Sequence, residues 1–221
     1  MAHPSRDETM PPSRPAPSQP PTHVGALVVP ALLLIAAPSF AQQAARREGW
    51  SVGLFTSFMH FSAAAVATPE RAIGPSRSTA IGASAWRAIG PLRIRLSAEH
   101  LSARLEVRNA DVTITAAEPS LDRTRLAADA LLCLARAGQA RVTLGAGPAL
   151  DLWAPGTDPV RARAGVQGEL AIEFHLGGVT VVNAIGGGIS ASPLERDDLP
   201  EGYGARKLRS AGVTLAASLD L

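Results

Sequence analysis

The chain has 221 residues, 46% of them hydrophobic, 18% charged and only 4% aromatic, with a formal net charge of +2. That length suits one domain, and a charge so near zero excludes the strong field expected of a nucleic-acid-binding protein. The single cysteine, Cys133, excludes an internal disulfide and a cysteine-based metal site, and it reads as a small side chain packed in the interior.

Residues 1–21 are polar and rich in Pro and Ser, and Val24–Ala37 (VGALVVPALLLIAA) is an apolar run of 14 residues. A membrane-spanning helix needs about 20, and Ser39-Phe40-Ala41 puts small residues where a signal peptidase cuts. Residues 1–41 therefore read as a cleaved secretory signal with an extended n-region, in preference to an uncleaved anchor helix. Residues 42–48 read as a short N-terminal segment. No cysteine follows the run to carry a lipoprotein anchor, and no Arg-Arg pair precedes it.

Beyond residue 48 no apolar run is long enough for a spanning helix, and no 3.6-residue period is sustained. Alternation recurs instead, in segments separated by turn signals. Trp50–Ser62 is rich in β-favouring residues, with imperfect alternation. Ala63–Ser76, with Pro69 and Pro75, reads as a linker. Arg77–Ala88 aligns Ile81, Ala83 and Ala85 and stops at Ile89-Gly90-Pro91. Leu92–Val107 begins with Leu92, Ile94, Leu96 and Ala98 against Arg93, Arg95, Ser97 and Glu99. From Leu101 the apolar residues change parity, which predicts a β-bulge. Arg108–Arg123 reads as a long loop, although Val112–Thr115 has the composition to extend a strand. In Thr124–Ala137, Leu126, Ala128, Ala130, Leu132 and Leu134 oppose Arg125, Asp129 and Cys133; Gly138-Gln139 turns the chain.

Ala140–Trp153 sets Val142, Leu144, Ala146, Leu150 and Leu152 against Arg141, Thr143 and Asp151, with Pro148 on the apolar face at the cost of a ladder bond. After the loop 154–159, Val160–Leu176 alternates most strongly. Ala162, Ala164, Val166, Leu170, Ile172, Phe174 and Leu176 oppose Arg161, Arg163, Gln167, Glu169, Glu173 and His175. Gly177-Gly178 is a two-residue hairpin signal. Val179–Ser192 carries Asn183 on its apolar face, 193–205 is a charged loop, and the closing segment places Val213, Leu215, Ala217, Leu219 and Leu221 opposite Gly212, Thr214, Ala216, Ser218 and Asp220. The pentapeptide Arg-Ala-Ile-Gly-Pro occurs at 71–75 and again at 87–91.

These are eight strands whose connections alternate between short and long. In this the chain resembles the small eight-stranded outer-membrane β-barrel proteins of Gram-negative bacteria, over residues 49–221. The resemblance implies an all-β, eight-stranded, antiparallel up-and-down transmembrane barrel in the outer membrane. Short turns would be periplasmic and longer loops external. The last strand would be the signal read by the outer-membrane assembly machinery, and outer-membrane lipids would surround the wall. The chain departs from the pattern in ending at Leu221, where such barrels usually carry an aromatic residue, and in its sparse aromatic girdles.

In that arrangement the polar faces meet inside. They bring Arg93, Arg95, Glu99, Arg125, Asp129, Arg141, Asp151, Arg161, Arg163, Glu169, Glu173 and Asp220 to the interior. Eight strands leave a lumen just wide enough to be filled by side chains, so these charges are expected to pair as a structural network. The small inner residues of the last two strands leave room for a narrow ion or water path instead.

Two His-x-Ser triplets, His60-Phe61-Ser62 and His100-Leu101-Ser102, put an imidazole and a hydroxyl on one side of a strand. They resemble the His-x-Ser pair of outer-membrane lipid A deacylases. Glu106 lies near the second triplet, as does Glu99, which points to the opposite face. His60, His100 and His175 lack ligand spacing, so no metal site and no cofactor are expected. The leading expectation is a non-enzymatic membrane barrel acting structurally or through loops 63–76, 108–123 and 193–205. The alternatives are a soluble periplasmic lipocalin-like barrel with its apolar face inward around an apolar ligand, and an outer-membrane acyl hydrolase. Alternation alone does not say which face is inside.

Overall fold

The computed structural model of the chain describes residues 49–89, 92–156 and 158–221, with the backbone alone at 117–120. The expected signal segment 1–41, the segment 42–48 and Gly90-Pro91 lie outside the described residues. In chain order the strands are β1 (Trp50–Phe61), β2 (Ala65–Thr68), β3 (Arg71–Pro75), β4 (Ser78–Ile89), β5 (Leu92–Asn109), β6 (Val112–Ala137), β7 (Ala140–Pro155), β8 (Arg161–Leu176), β9 (Val179–Ser190), β10 (Gly204–Ala205) and β11 (Leu208–Asp220).

Eight of them form a closed wall in the order β1-β4-β5-β6-β7-β8-β9-β11, each antiparallel to its neighbours. β11 pairs back onto β1, from Ser51 opposite Asp220 to Phe61 opposite Ser210. The architecture is thus an eight-stranded up-and-down antiparallel barrel. At the end holding Trp50 and Leu221 the connections are tight. Ala137 pairs with Ala140 across Gly138-Gln139, and Leu176 with Val179 across Gly177-Gly178. Gly138 (φ 58°) and Gly177 (φ 69°) adopt the left-handed conformation that such turns require.

The opposite end, the mouth, is where the expectations from sequence need correcting. The segment 108–123 is not a loop. β5 runs to Asn109, which pairs directly with Val112 across the two-residue turn Ala110-Asp111, and β6 then continues to Ala137. The linker 63–76 contains β2 and β3, and β3 pairs with the distal part of β5 from Arg71 opposite Asn109 to Pro75 opposite Leu105. Within 193–205, a 3-10 turn at Arg196–Asp198 precedes β10, which pairs with β2. The mouth therefore carries a small sheet, β10-β2-β3-β5-β6, standing beyond the wall. The two Arg-Ala-Ile-Gly-Pro copies fall in different places: the first is β3, and the described part of the second, Arg87 to Ile89, ends β4.

The bulge expected between Ala98 and Leu101 is also absent. β5 and β6 pair without a shift from Leu92 opposite Leu132 to Arg104 opposite Ser120; the shift comes later, between Arg104 and Glu106. Leu101 and Ala103 share the parity of Arg93 and Arg95 and are buried on the same inner side. What changes along β5 is the chemistry of the interior, from charged to apolar. Pro148 likewise shifts nothing. Ala127 opposite Ala149 and Ala130 opposite Ala146 keep one register on either side of it.

The apolar core sits at the mouth. Met59, Phe61, Leu101, Leu121, Trp153 and Leu208 fill the barrel, and Ala65, Ile73 and Leu194 of the cap join them, with Leu199 and Tyr203 packed against the cluster. One turn residue is out of place in this frame. Ala110 has φ 42°, a conformation costing an alanine about 1 kcal/mol that glycine adopts freely. Ala110→Gly is expected to raise folding stability by about 0.5–1 kcal/mol, read as a later midpoint in urea unfolding.

Candidate functional site

The interior is built by strand parity. On β5 to β8 the inward positions carry long charged side chains; on β9, β11, β1 and β4 they carry mostly Gly, Ala, Ser and Thr. One half of the wall reaches across, and the other half makes room. A Cβ at Gly188 would stand 3.3 Å from Nη1 of Arg125, and one at Gly82 would strike the Phe55 ring.

Nearest the tight turns, Glu173 of β8 is the hub. It accepts from Arg141 Nε and Nη2 (2.9 and 2.6 Å), from Thr143 Oγ1 (2.9 Å) and from Arg93 of β5, which reaches it across the lumen past the intervening β6 and β7. Arg141 Nη2 also donates to His175 Nε2 (2.9 Å). In the next layer Arg95 donates to Asp129 through Nη2 (2.7 Å) and to Glu169 of β8 through Nη1 (2.6 Å), while Gln167 donates to both oxygens of Asp129 (3.0 Å each). Above it Arg125 grips Asp151 with two parallel bonds (2.6 and 2.9 Å). Arg123 bonds Glu99.

The five arginines 93, 95, 123, 125 and 141 thus face the five carboxylates 99, 129, 151, 169 and 173, a network with no net charge. Such balance is what lets charges persist away from bulk water, because each unpaired ion there would cost several kcal/mol.

Three residues expected in this network stand elsewhere. Arg161 and Arg163 lie at the mouth and hold the 193–205 segment. Arg161 pairs with Asp198, and Arg163 donates to Glu195 (2.6 Å) and to the Ser192 carbonyl (2.7 Å). Asp220 is exposed at the opposite rim and accepts from Ser51 Oγ (2.7 Å).

Conversely, Arg123 was hidden in a segment expected to be loop, yet it is fully buried. Its guanidinium lies 5.4 Å from the Phe61 ring centroid and 5.6 Å from that of Trp153, cation–π geometry that partly replaces hydration. It shares the inward parity of Leu121 and Arg125, a signal that becomes legible only once β6 is known to extend through it. Arg123 Nε and Nη1, Trp153 Nε1 and Ser210 Oγ are buried without partners among the described residues.

Between the Glu173 hub and the Phe61–Leu101–Trp153 plug lies a cavity of about 100 Å³ lined by Ser57, Trp86, Arg95, Glu99, Arg125 and Gln167, among others. It has room for a few water molecules with polar partners.

The His-x-Ser triplets do not assemble into a relay. His60 Nδ1 accepts from Arg77 Nε (3.3 Å), and Ser62 Oγ accepts from the Arg209 amide (2.9 Å). His100 bonds Thr124 (3.2 Å), while Ser102 Oγ donates to Asp122 (2.6 Å). Among the described residues no group of three or more His, Cys, Asp or Glu side chains is placed to hold a metal ion.

No protein-family model matches the sequence, and neither does any curated protein. Solved structures share the fold, among them the following two. Neisserial surface protein A, from Neisseria, is 13% identical with a TM-score of 0.56, over 78% of this chain and 97% of its own. The outer membrane protein OprG from Pseudomonas aeruginosa is 10% identical with a TM-score of 0.53, over 78% and 96%.

Glu173→Gln leaves Arg93 and Arg141 facing a neutral amide and is expected to cost about 3–5 kcal/mol of stability, measured by urea unfolding. At the mouth, the hydrogen bonds from Arg161 hold the Asp198 carboxyl below its ordinary range. Because the folded-state value is depressed, this contribution is present at neutral pH and lost as pH falls through the lowered value. Protection of 193–205 from protease is expected to persist through the ordinary carboxylate range and fail only in stronger acid.

Proposed function

We propose that this chain is a small integral outer-membrane protein whose barrel is filled by its own side chains and whose role is non-enzymatic, either structural or mediated by the cap at the mouth. The observation that carries this reading is the inversion of the two faces. Leu54 (71% exposed), Ile81 (70%) and Ile185 (59%) point outward, with Leu96, Leu132, Leu144, Val166 and Leu215 continuing a belt around the wall. The ion pairs point inward. A soluble barrel carrying an apolar ligand needs the reverse, and an exposed apolar surface of this extent marks contact with lipid.

The height of the belt supports the same reading. From Arg77, just ahead of β4, to Arg87 on it, the outward residues run through Thr79, Ile81, Ala83 and Ala85. Ten residues at about 3.3 Å each, tilted by about 40°, rise about 25 Å, the height of a barrel's lipid-facing band. At the tight-turn rim Arg87 lies over the Trp50 ring at 5.9 Å, an amphipathic pair suited to a membrane interface. Neisserial surface protein A and the outer membrane protein OprG, which are among the structures that share the fold, fit this location.

On this reading the tight turns face the periplasm, the mouth faces outward, and β11 is the strand that the assembly machinery recognises. An external partner would meet the segments 63–76, 108–123 and 193–205 as one packed platform rather than as separate loops.

Two measurements test the proposal. The exported protein should sediment with outer membranes after lysis and run at a heat-modifiable position on gels; a soluble form with fixed mobility overturns it. Leu215→Arg, at the middle of the belt on β11, is expected to cost about 2–4 kcal/mol in lipid; in a water-soluble barrel an exposed arginine there would be close to neutral.

A further inference from the structure

Charged side chains on the outward face cluster at the mouth rim, and they do so on one side only. Four neighbouring strands contribute. Arg104 of β5 is joined to Ser76 through its amide and carbonyl (3.0 and 2.7 Å). Arg77, just ahead of β4, donates to His60 of β1. Arg209 of β11 is joined to Ser62 through its amide and carbonyl (2.9 Å each). Arg77, Arg104, Arg209 and His60 are all exposed, and none of the three arginines belongs to an ion pair among the described residues.

Strands about 4.8 Å apart make this a row about 14 Å long. Arg206 and Lys207 are exposed just beyond it. The outward carboxylate on the next strand, Asp122 of β6, is engaged by Ser102.

The position of the row matters as much as its charge. On β11 the outward residues below Arg209 are Ala211, Val213, Leu215, Ala217 and Leu219, and on β5 those below Arg104 are Ser102, His100, Ala98, Leu96, Ile94 and Leu92. The arginines therefore stand at the upper edge of the apolar belt and face away from the barrel axis, at the height of lipid headgroups. A guanidinium there offers paired N–H donors to a phosphate, a geometry no lysine reproduces.

We infer that Arg77, Arg104 and Arg209, with His60 between them, form a docking row for the phosphate group of a phosphorylated lipid in the outer leaflet. The inference rests on the membrane reading above. The acyl chains of such a lipid would lie along the belt of β11, β1, β4 and β5, so one molecule would meet the apolar wall and the cationic rim together. Electrostatic attraction near a membrane surface is worth about 1 kcal/mol per arginine, or about fivefold in affinity, so three together amount to about a hundredfold.

The test uses the full chain refolded and purified in detergent, with lipid binding followed by native mass spectrometry. Phosphatidic acid is expected to bind in preference to phosphatidylcholine. The triple variant Arg77→Gln/Arg104→Gln/Arg209→Gln should weaken phosphatidic acid binding by about a hundredfold, while Arg87→Gln at the opposite rim should leave it unchanged. A triple variant that binds like the parent overturns the assignment. So does inorganic phosphate binding as tightly as phosphatidic acid, since that describes a free-anion site. Insertion of the parent into phosphatidylcholine vesicles, scored by heat-modifiable mobility, separates the two levels. Insertion with no lipid preference sinks only the arginine row, whereas failure to insert sinks the membrane reading.

Discussion

The structure depends on the closure of one sheet on itself through β1 and β11. A strand in an apolar medium must find a partner for every backbone amide and carbonyl, and a barrel does so without leaving an edge. Here the seam runs from Ser51–Asp220 to Phe61–Ser210 and is finished by the Leu221 amide bonding the Trp50 carbonyl at 2.9 Å. Closure makes the two faces inequivalent for good. Whatever alternates outward meets the surroundings; whatever alternates inward must satisfy itself within a lumen only side chains wide.

The interior answers that demand in two ways along its length. Near the tight turns, arginines and carboxylates of β5 to β8 neutralise one another in layers, with Glu173 and Asp129 each serving several donors. Near the mouth, aromatic and aliphatic side chains replace charges. Arg123 stands at the join, its charge answered by Glu99 on one side and by the Phe61 and Trp153 rings on the others. The glycines and alanines of the opposite wall are part of the same arrangement, since long side chains from one half need small ones in the other.

The mouth sheet alters the functional picture of the connections. Residues that a sequence reading assigns to three separate loops pack together around Ile73, Leu194 and Leu208, with the 193–205 segment held to the barrel by Arg161 and Arg163. A partner reaching this end would meet a preformed surface, with less ordering cost than loose loops impose. The arginine row lies below that surface, on the wall's outer face, so lipid and external partner would use different sides of the same end.

What the sequence determined by itself is whatever follows from period two. The eight wall strands, the glycine turns at 138 and 177 and the company of Arg93, Arg95, Arg125, Asp129, Arg141, Asp151, Glu169 and Glu173 on one face all follow from local alternation and turn chemistry. The extent of β5 and β6, the cap and the place of Arg123 did not follow. Pro119 and the charges of 108–123 looked like loop, and the change of parity at Leu101 looked like a bulge. Only long-range pairing decided otherwise, because β3 supplies a partner to the distal end of β5 and the inner space near the mouth is apolar. Which face turns inward was likewise a tertiary decision: alternation is symmetric under exchange of faces, and the sense in which the sheet curls breaks that symmetry.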